Sequence, residues 1–167
     1  MVAIRVTVDD AEVVQALQGM QHRLTHLAPV LEDVRERMEK SIDRNFSAGG
    51  RPTAWLISQR ARRENGKTLQ DHGHLRSSIT GRVEGTSVVL GTNVVYARIH
   101  QLGGTVQVPE IRPKHAKALR FTIGGKTVFA RRVRAHAVHM PARPFLVAQE
   151  ADIAYIRRAI QDYIAGA

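Results

Sequence analysis

The sequence predicts an α+β fold, and three observations carry the prediction. Apolar residues recur at spacings of three and four over residues 11–46, glycine turns separate short strand-like runs in the middle of the chain, and a last apolar stripe at helical spacing closes it. At 167 residues and 43% apolar content the chain has enough material for one core and too little for two. A single domain over residues 1–167, with appendages, is therefore expected.

The elements follow in order. Val2, Ile4, Val6 and Val8 alternate with Ala3, Arg5 and Thr7, the period of a strand with one buried face. Asp9 and Asp10 supply a helix start, and Val13, Val14, Leu17, Met20, Leu24 and Leu27 then place one apolar stripe on a helix. Pro29 suits a first helical turn and not an interior, which sets a break near Ala28. A second amphipathic helix carries Leu31, Val34, Met38, Ile42 and Phe46 on one face. Its acids Glu32, Asp33 and Glu36 lie early and Arg37, Lys40 and Arg44 late, in keeping with the helix dipole.

Residues 47–54 have neither helical nor strand period and lead to the only tryptophan, Trp55. Residues 56–70 hold Arg60, Arg62, Arg63 and Lys67 with few apolar groups, so a flexible basic loop of low order is expected at about 47–72. Gly73, Leu75 and Ile79 announce a short turn or helix, followed by strands near Thr80–Val83 and Ser87–Leu90. A second antiparallel hairpin joins Leu119–Ile123 to Lys126–Ala130 through Gly124-Gly125, a pair able to take the positive φ of a tight turn. Val133–His139 reads as a further strand, stopped by Pro141 and Pro144, which lack ladder donors. The C-terminal helix carries Ile153, Ile156, Ile160 and Ile164.

Composition narrows the function. With no Cys, disulfides, thiolate metal sites and a Cys nucleophile are excluded. The net charge of +10 is uneven: residues 1–46 carry 6 basic and 8 acidic side chains, residues 47–146 carry 17 and 4, and residues 147–167 carry 2 and 3. Such a basic middle faces a polyanion or docks on an acidic protein. The first residues lack a basic segment followed by an apolar run, and no stretch approaches the roughly 20 apolar residues of a membrane span, so cytosolic synthesis without membrane association is expected.

Catalytic constellations are poorly represented. His22 and His26, His72 and His74, and His136 and His139 are close in sequence, but none belongs to a known ligand set such as His-Glu-x-x-His. Gly49-Gly50, Gly103-Gly104 and Gly124-Gly125 lack the lysine and hydroxyl of a phosphate-binding loop, and Gly-x-Ser-x-Gly is missing. Between Glu64 and residue 146 the carboxylates are Asp71, Glu84 and Glu110 alone. No catalytic residue, cofactor or metal is expected, and the chain reads as a non-enzyme. A DNA-binding accessory protein is the rival reading, but aromatic residues are only 5% of the chain and no run interleaves them with charge as a stacking platform would.

Four stretches together resemble the phage virion morphogenesis family. They are Arg51-Pro52-Thr53-Ala54-Trp55; Gly66-Lys67-Thr68-Leu69 with Gly73-His74-Leu75-Arg76-Ser77-Ser78-Ile79; residues 91–104, with Tyr96, Ala97, His100, Gln101, Gly103 and Gly104; and Met140-Pro141-Ala142-Arg143-Pro144-Phe145-Leu146. The third and fourth, about forty residues apart, are the specific ones. The family often has Thr where this chain has His72.

The resemblance implies a structural virion protein of a tailed bacteriophage, a tail-completion or neck subunit like those described for Mu-like and P2-like phages. It implies a homo-oligomeric, six-fold ring at the head-to-tail joint, contacting the connector, tail terminator or tail tube, and leaving a channel for DNA. A tail-terminator or head-side assembly protein would share that role in another layer. Trp55, Tyr96, His100, Gly103, Gly104, Pro141, Arg143, Pro144 and Phe145 are expected as structural anchors, with Tyr96, Ile99 and Leu102 on one side of a short helix that the two glycines end. Trp55, Tyr96, Phe145 and Leu146 are expected to be buried in the subunit or its interfaces. Arg60, Arg62, Arg63 and Lys67 are the candidates for contact with a partner or with DNA.

Overall fold

The computed structural model describes residues 9–166, so the strand expected over Val2–Val8 lies outside the described residues. Within that range the order of elements is α1 (Ala11–Thr25), α2 (Ala28–Ala48), α3 (Gln59–Glu64), α4 (His74–Ser77), β1 (Thr80–Glu84), β2 (Ser87–Gly91), α5 (Ala97–Leu102), β3 (Gly104–Val108), β4 (Leu119–Ile123), β5 (Lys126–Ala130), β6 (His136–Met140) and α6 (Glu150–Ala165). The class is α+β. The chain divides into two compact units, residues 9–94 with 145–166, and residues 95–144.

In the first unit the core lies along α2. Its stripe of Val30, Leu31, Val34, Met38, Ile42 and Phe46 is buried throughout, as the spacing predicts. Pro29 occupies the first turn of α2 and sets the break from α1, and the αL residue Gly49 ends the helix by donating to Asn45 and Phe46 carbonyls. Lys40 reaches Glu36 at 3.4 Å, the pair the charge order suggested. Helix α6 packs on α2, and so does the hairpin of β1 and β2, which turns through Gly85-Thr86 in the register Glu84↔Ser87. The Gly81 amide donates to the Glu39 carboxylate at 2.7 Å, fixing this hairpin to the polar edge of α2.

Three expectations for this unit are corrected. Helix α1 buries none of its apolar stripe: Val13, Leu17 and Leu24 are 60%, 59% and 53% exposed. It is held by its end instead, where the Arg23 guanidinium donates to the Ile164 carbonyl at 2.9 Å and the Tyr163 hydroxyl donates to the His26 carbonyl. In α6, Ile153 is exposed and Asp152 takes the inward position, because a capping box with Gln149 turns the first helical turn so that this carboxylate faces α2.

The segment read as a basic loop of low order contains α3, capped by the Ser58 hydroxyl accepting from the Ala61 amide at 3.1 Å. Trp55, Ala61 and Thr68 are buried. A short apolar complement escaped the periodic reading because it is spread over single residues.

The second unit is a short helix and two separate two-stranded ladders, β3 with β6 and β4 with β5. β3 pairs with β6 from Gly104↔Met140 to Val108↔His136, and the same register continues to the bridge Ile111↔Val133. From there the chain takes eight steps to Leu119 but only three back from Val133 to Ala130, after which β4 and β5 pair as predicted around Gly124-Gly125. The strand expected over Val133–His139 therefore begins later, at His136, and Val133 belongs to the bridge. β3 had no counterpart in the sequence reading. Its Thr105, Val106 and Gln107 are all exposed, so burial sets no two-residue period along it.

Candidate functional site

The family-like motifs fall into one cluster in each unit. In the first unit the fully buried rings of Phe46 and Phe145 lie 5.4 Å apart between centroids, and Trp55 meets Phe46 edge-on at 5.6 Å and 79°. Two motifs distant in sequence, at Trp55 and at Phe145, thus meet on the last turn of α2. The loop between α2 and Trp55 closes tightly: Gly50 has φ +115°, and a Cβ there would lie 2.6 Å from the Thr53 carbonyl and 2.7 Å from the Trp55 amide. Only glycine fits that position.

A buried polar layer lies beside the rings, and the sequence reading missed it. The Asn45 amide group donates to the carbonyls of Phe145 at 2.9 Å and Val147 at 3.1 Å, while its oxygen accepts from Arg51 Nε at 2.9 Å. Arg51 also donates to the Ser41 carbonyl and hydroxyl at 2.7 and 2.9 Å. Ser41 in turn donates to Asp152, which accepts from the Gln149 amide at 2.9 Å and faces Arg37 Nε at 3.6 Å. The Arg37 guanidinium also lies 4.8 Å over the Tyr155 ring. Ser41 and Asn45 extend the apolar spacing of α2 from Val34 and Met38. Polar residues on an apolar stripe were the available signal.

The second cluster ties α5 to the proline segment. The Arg143 amide donates to the His100 carbonyl at 2.7 Å, and the Gly103 amide ends α5 by donating to Ile99 at 2.9 Å. Gly103 has φ +71°, and a Cβ on it would stand 2.7 Å from the Ala142 nitrogen. Tyr96 lies edge-on to the His100 ring at 5.8 Å and 81°. The Nδ1 of His100 is buried without a hydrogen-bond partner among the described residues. Burial and the Arg143 charge both hold this imidazole below its ordinary pKa, and burial lowers Arg143 as well.

Burial within the subunit differs among these residues. Trp55, Phe145 and Arg143 are buried, but Tyr96 is 45% exposed, Leu102 62% and Pro144 exposed, while Pro141 and Leu146 are half-buried. Tyr96 is the cap of α5 rather than part of its stripe, and in so short a helix the buried position falls to Ala97.

The four basic candidates are not equivalent. Arg60 is committed within the subunit, donating to the Lys67 carbonyl at 2.7 Å and pairing with Glu64 at 3.2 Å and Asp71 at 3.3 Å. Arg62, Arg63 and Lys67 are exposed. Beside the motif at residues 73–79, Arg76 bridges to Asp43 at 2.5 Å and holds that carboxylate below its usual pKa. α4 begins at Gly73 with no side-chain cap, at the place where the chain has His72.

Among the described residues no group of three His, Asp or Glu side chains is placed to hold a metal, and no helix is long and apolar enough to cross a membrane. Both clusters hold backbone segments in place, as the framework of a structural protein does. The phage virion morphogenesis family matches residues 8–165, and the chain belongs to that family. It is similar to the Mu-like prophage FluMu G protein 2 of Haemophilus influenzae (strain ATCC 51907 / DSM 11121 / KW20 / Rd), 31% identical over 161 residues that span 96% of this chain and 95% of the relative. No solved structure matches the chain. The protein has a structural role in phage morphogenesis and is associated with the virion.

Proposed function

We propose that the protein is a tail-completion or neck subunit that forms a ring at the head-to-tail joint of a tailed phage, and that it acts without catalysis. Six copies, matching the phage tail, would leave a bore for DNA. The neighbours would be the connector on one side and the tail terminator or tail tube on the other.

The observation that carries this reading is the apolar stripe of α1. Val13, Val14, Leu17 and Leu24 lie 43–60% exposed on a 15-residue helix that buries no residue of its own. An exposed apolar face on a helix anchored at one end calls for another surface, and in a closed ring each subunit supplies that surface to its neighbour. The two separate two-stranded sheets of the second unit support the same reading, since two strands alone are marginal in water. Native mass spectrometry of the purified chain, alone and with neck proteins, tests it. A closed oligomer or a stable complex with a virion protein is expected; a strict monomer that binds no virion component would overturn it.

A further inference from the structure

We infer that the second unit carries a duplex-DNA contact surface, with its β4–β5 ribbon making the phosphate contacts. The inference deepens the virion reading only in naming the DNA as the genome in the bore; the binding itself is a property of the free chain.

Charge partitions sharply between the units. Residues 95–144 contain ten Lys and Arg against one acid, Glu110, whereas the rest of the chain contains 15 against 14. Nine of those ten are exposed, and the tenth is Arg143. The lone acid is itself neutralised, by Arg112 at 2.5 Å and Arg132 at 3.5 Å, and its pKa is held low by them. The other unit, with its 15 cations against 14 acids, offers a second copy of this chain no counterpart of matching net charge. DNA does, with one phosphate charge per about 1.7 Å of helix axis.

The shape of the ribbon fits the same partner. A two-stranded ribbon is narrow enough to enter the major groove of B-DNA, and the turn at its tip is Gly124-Gly125, with no side chain to widen it. One face carries Leu119, Phe121, Val128 and Ala130, all half-buried. The other pairs Arg120 with Phe129 and Thr122 with Thr127, all exposed, with Phe129 at 66%. That outer face holds a cation, two hydroxyls and a ring, and no carboxylate. Its donors suit phosphate oxygens, and the ring suits sugar or thymine methyl surface.

The test measures binding of the full chain to a short blunt-ended DNA duplex over a range of salt. Replacing Arg120, Lys126 and Arg131 by Gln should weaken binding at least tenfold and flatten the log–log salt slope by about 0.9 for each lost contact. Replacing Arg62, Arg63 and Lys67 in the first unit should leave both nearly unchanged. If the triple ribbon variant fails to fold, Lys126→Glu at the tip carries the test and must weaken binding more than Lys67→Glu. Equal effects from the two sets, no salt dependence, or no binding at low salt would overturn the inference. So would poly-glutamate competing as well as DNA, since an acidic protein would then be the fitting partner. Normal ring formation with no DNA binding would sink this inference and leave the virion reading standing; DNA binding without any assembly would do the reverse.

Discussion

The backbone amide of Arg143 donates to the carbonyl of His100 at 2.7 Å, so two motifs separated by some forty residues form one junction at the base of the β3–β6 ladder. The bond lies where α5 ends at Gly103 and where the chain leaves β6 through Pro141. Both segments are thereby set before the ladder starts and after it returns.

Gly103→Ala should disrupt that junction. With φ +71° and ψ −174° the residue lies in a region essentially confined to glycine, where a side chain costs about 1–3 kcal/mol, and the new Cβ would also press on the Ala142 nitrogen from 2.7 Å. The clash is with backbone and cannot be relieved by a rotamer change. Denaturant unfolding should show a larger loss for Gly103→Ala than for Gly124→Ala, whose φ of +55° leaves the new Cβ in open space.

Acidification should loosen the same region. His100 has a folded pKa below its usual 6.5, so its neutral form is favoured by folding and its contribution is complete above that pH. Stability is then lost as pH falls from about 6.5 toward the lower folded value. Asp43 and Glu110 are also depressed, but as carboxylates they lose their contributions only below about pH 4.3. A melting temperature that falls between pH 7.5 and 5.5 in the native chain, and falls less in His100→Gln, is the expected result.

In the first unit, Phe145→Ala should cost about 3–5 kcal/mol, since the ring is fully enclosed against Phe46. An unchanged melting temperature would mean that the Pro-Ala-Arg-Pro-Phe-Leu segment is not an anchor.

Asn45→Leu keeps the branched shape and removes the polar hub. The Phe145 and Val147 carbonyls and Arg51 Nε would each lose their bond to Asn45, and the substitution should cost about 1–3 kcal/mol. A urea midpoint lowered with the slope unchanged is expected. A neutral effect would show that water reaches the layer.

Leu17→Glu separates assembly from folding. Because Leu17 is 59% exposed, the monomer's unfolding free energy should stay within about 0.5 kcal/mol of the native value. The oligomer measured by light scattering should be lost.

The stripe of α2 was legible because a single periodicity fixed which residues face inward, and burial of Val34, Met38, Ile42 and Phe46 followed from it. The hairpin at Gly124-Gly125 was legible because a local turn requirement and its flanking strands agree within a dozen residues. The motif residues were legible from their resemblance to a family, and they include the anchors Trp55 and Phe145.

What only the tertiary structure decided depends on residues far apart in sequence. The meeting of Trp55 and Phe145 on Phe46, and the pairing of β3 with β6, depend on contacts whose partners no local pattern names. Likewise α1 has the period of a buried helix, yet it stays exposed, because periodicity records that a face is apolar and not what covers it. Charge behaves the same way. Composition located the basic stretch at residues 47–146, but the fold commits Arg60 to neighbours within the subunit and leaves the cations of the β4–β5 ribbon open to solvent. A sum over sequence counts charges, and only the folded chain determines which of them are already paired.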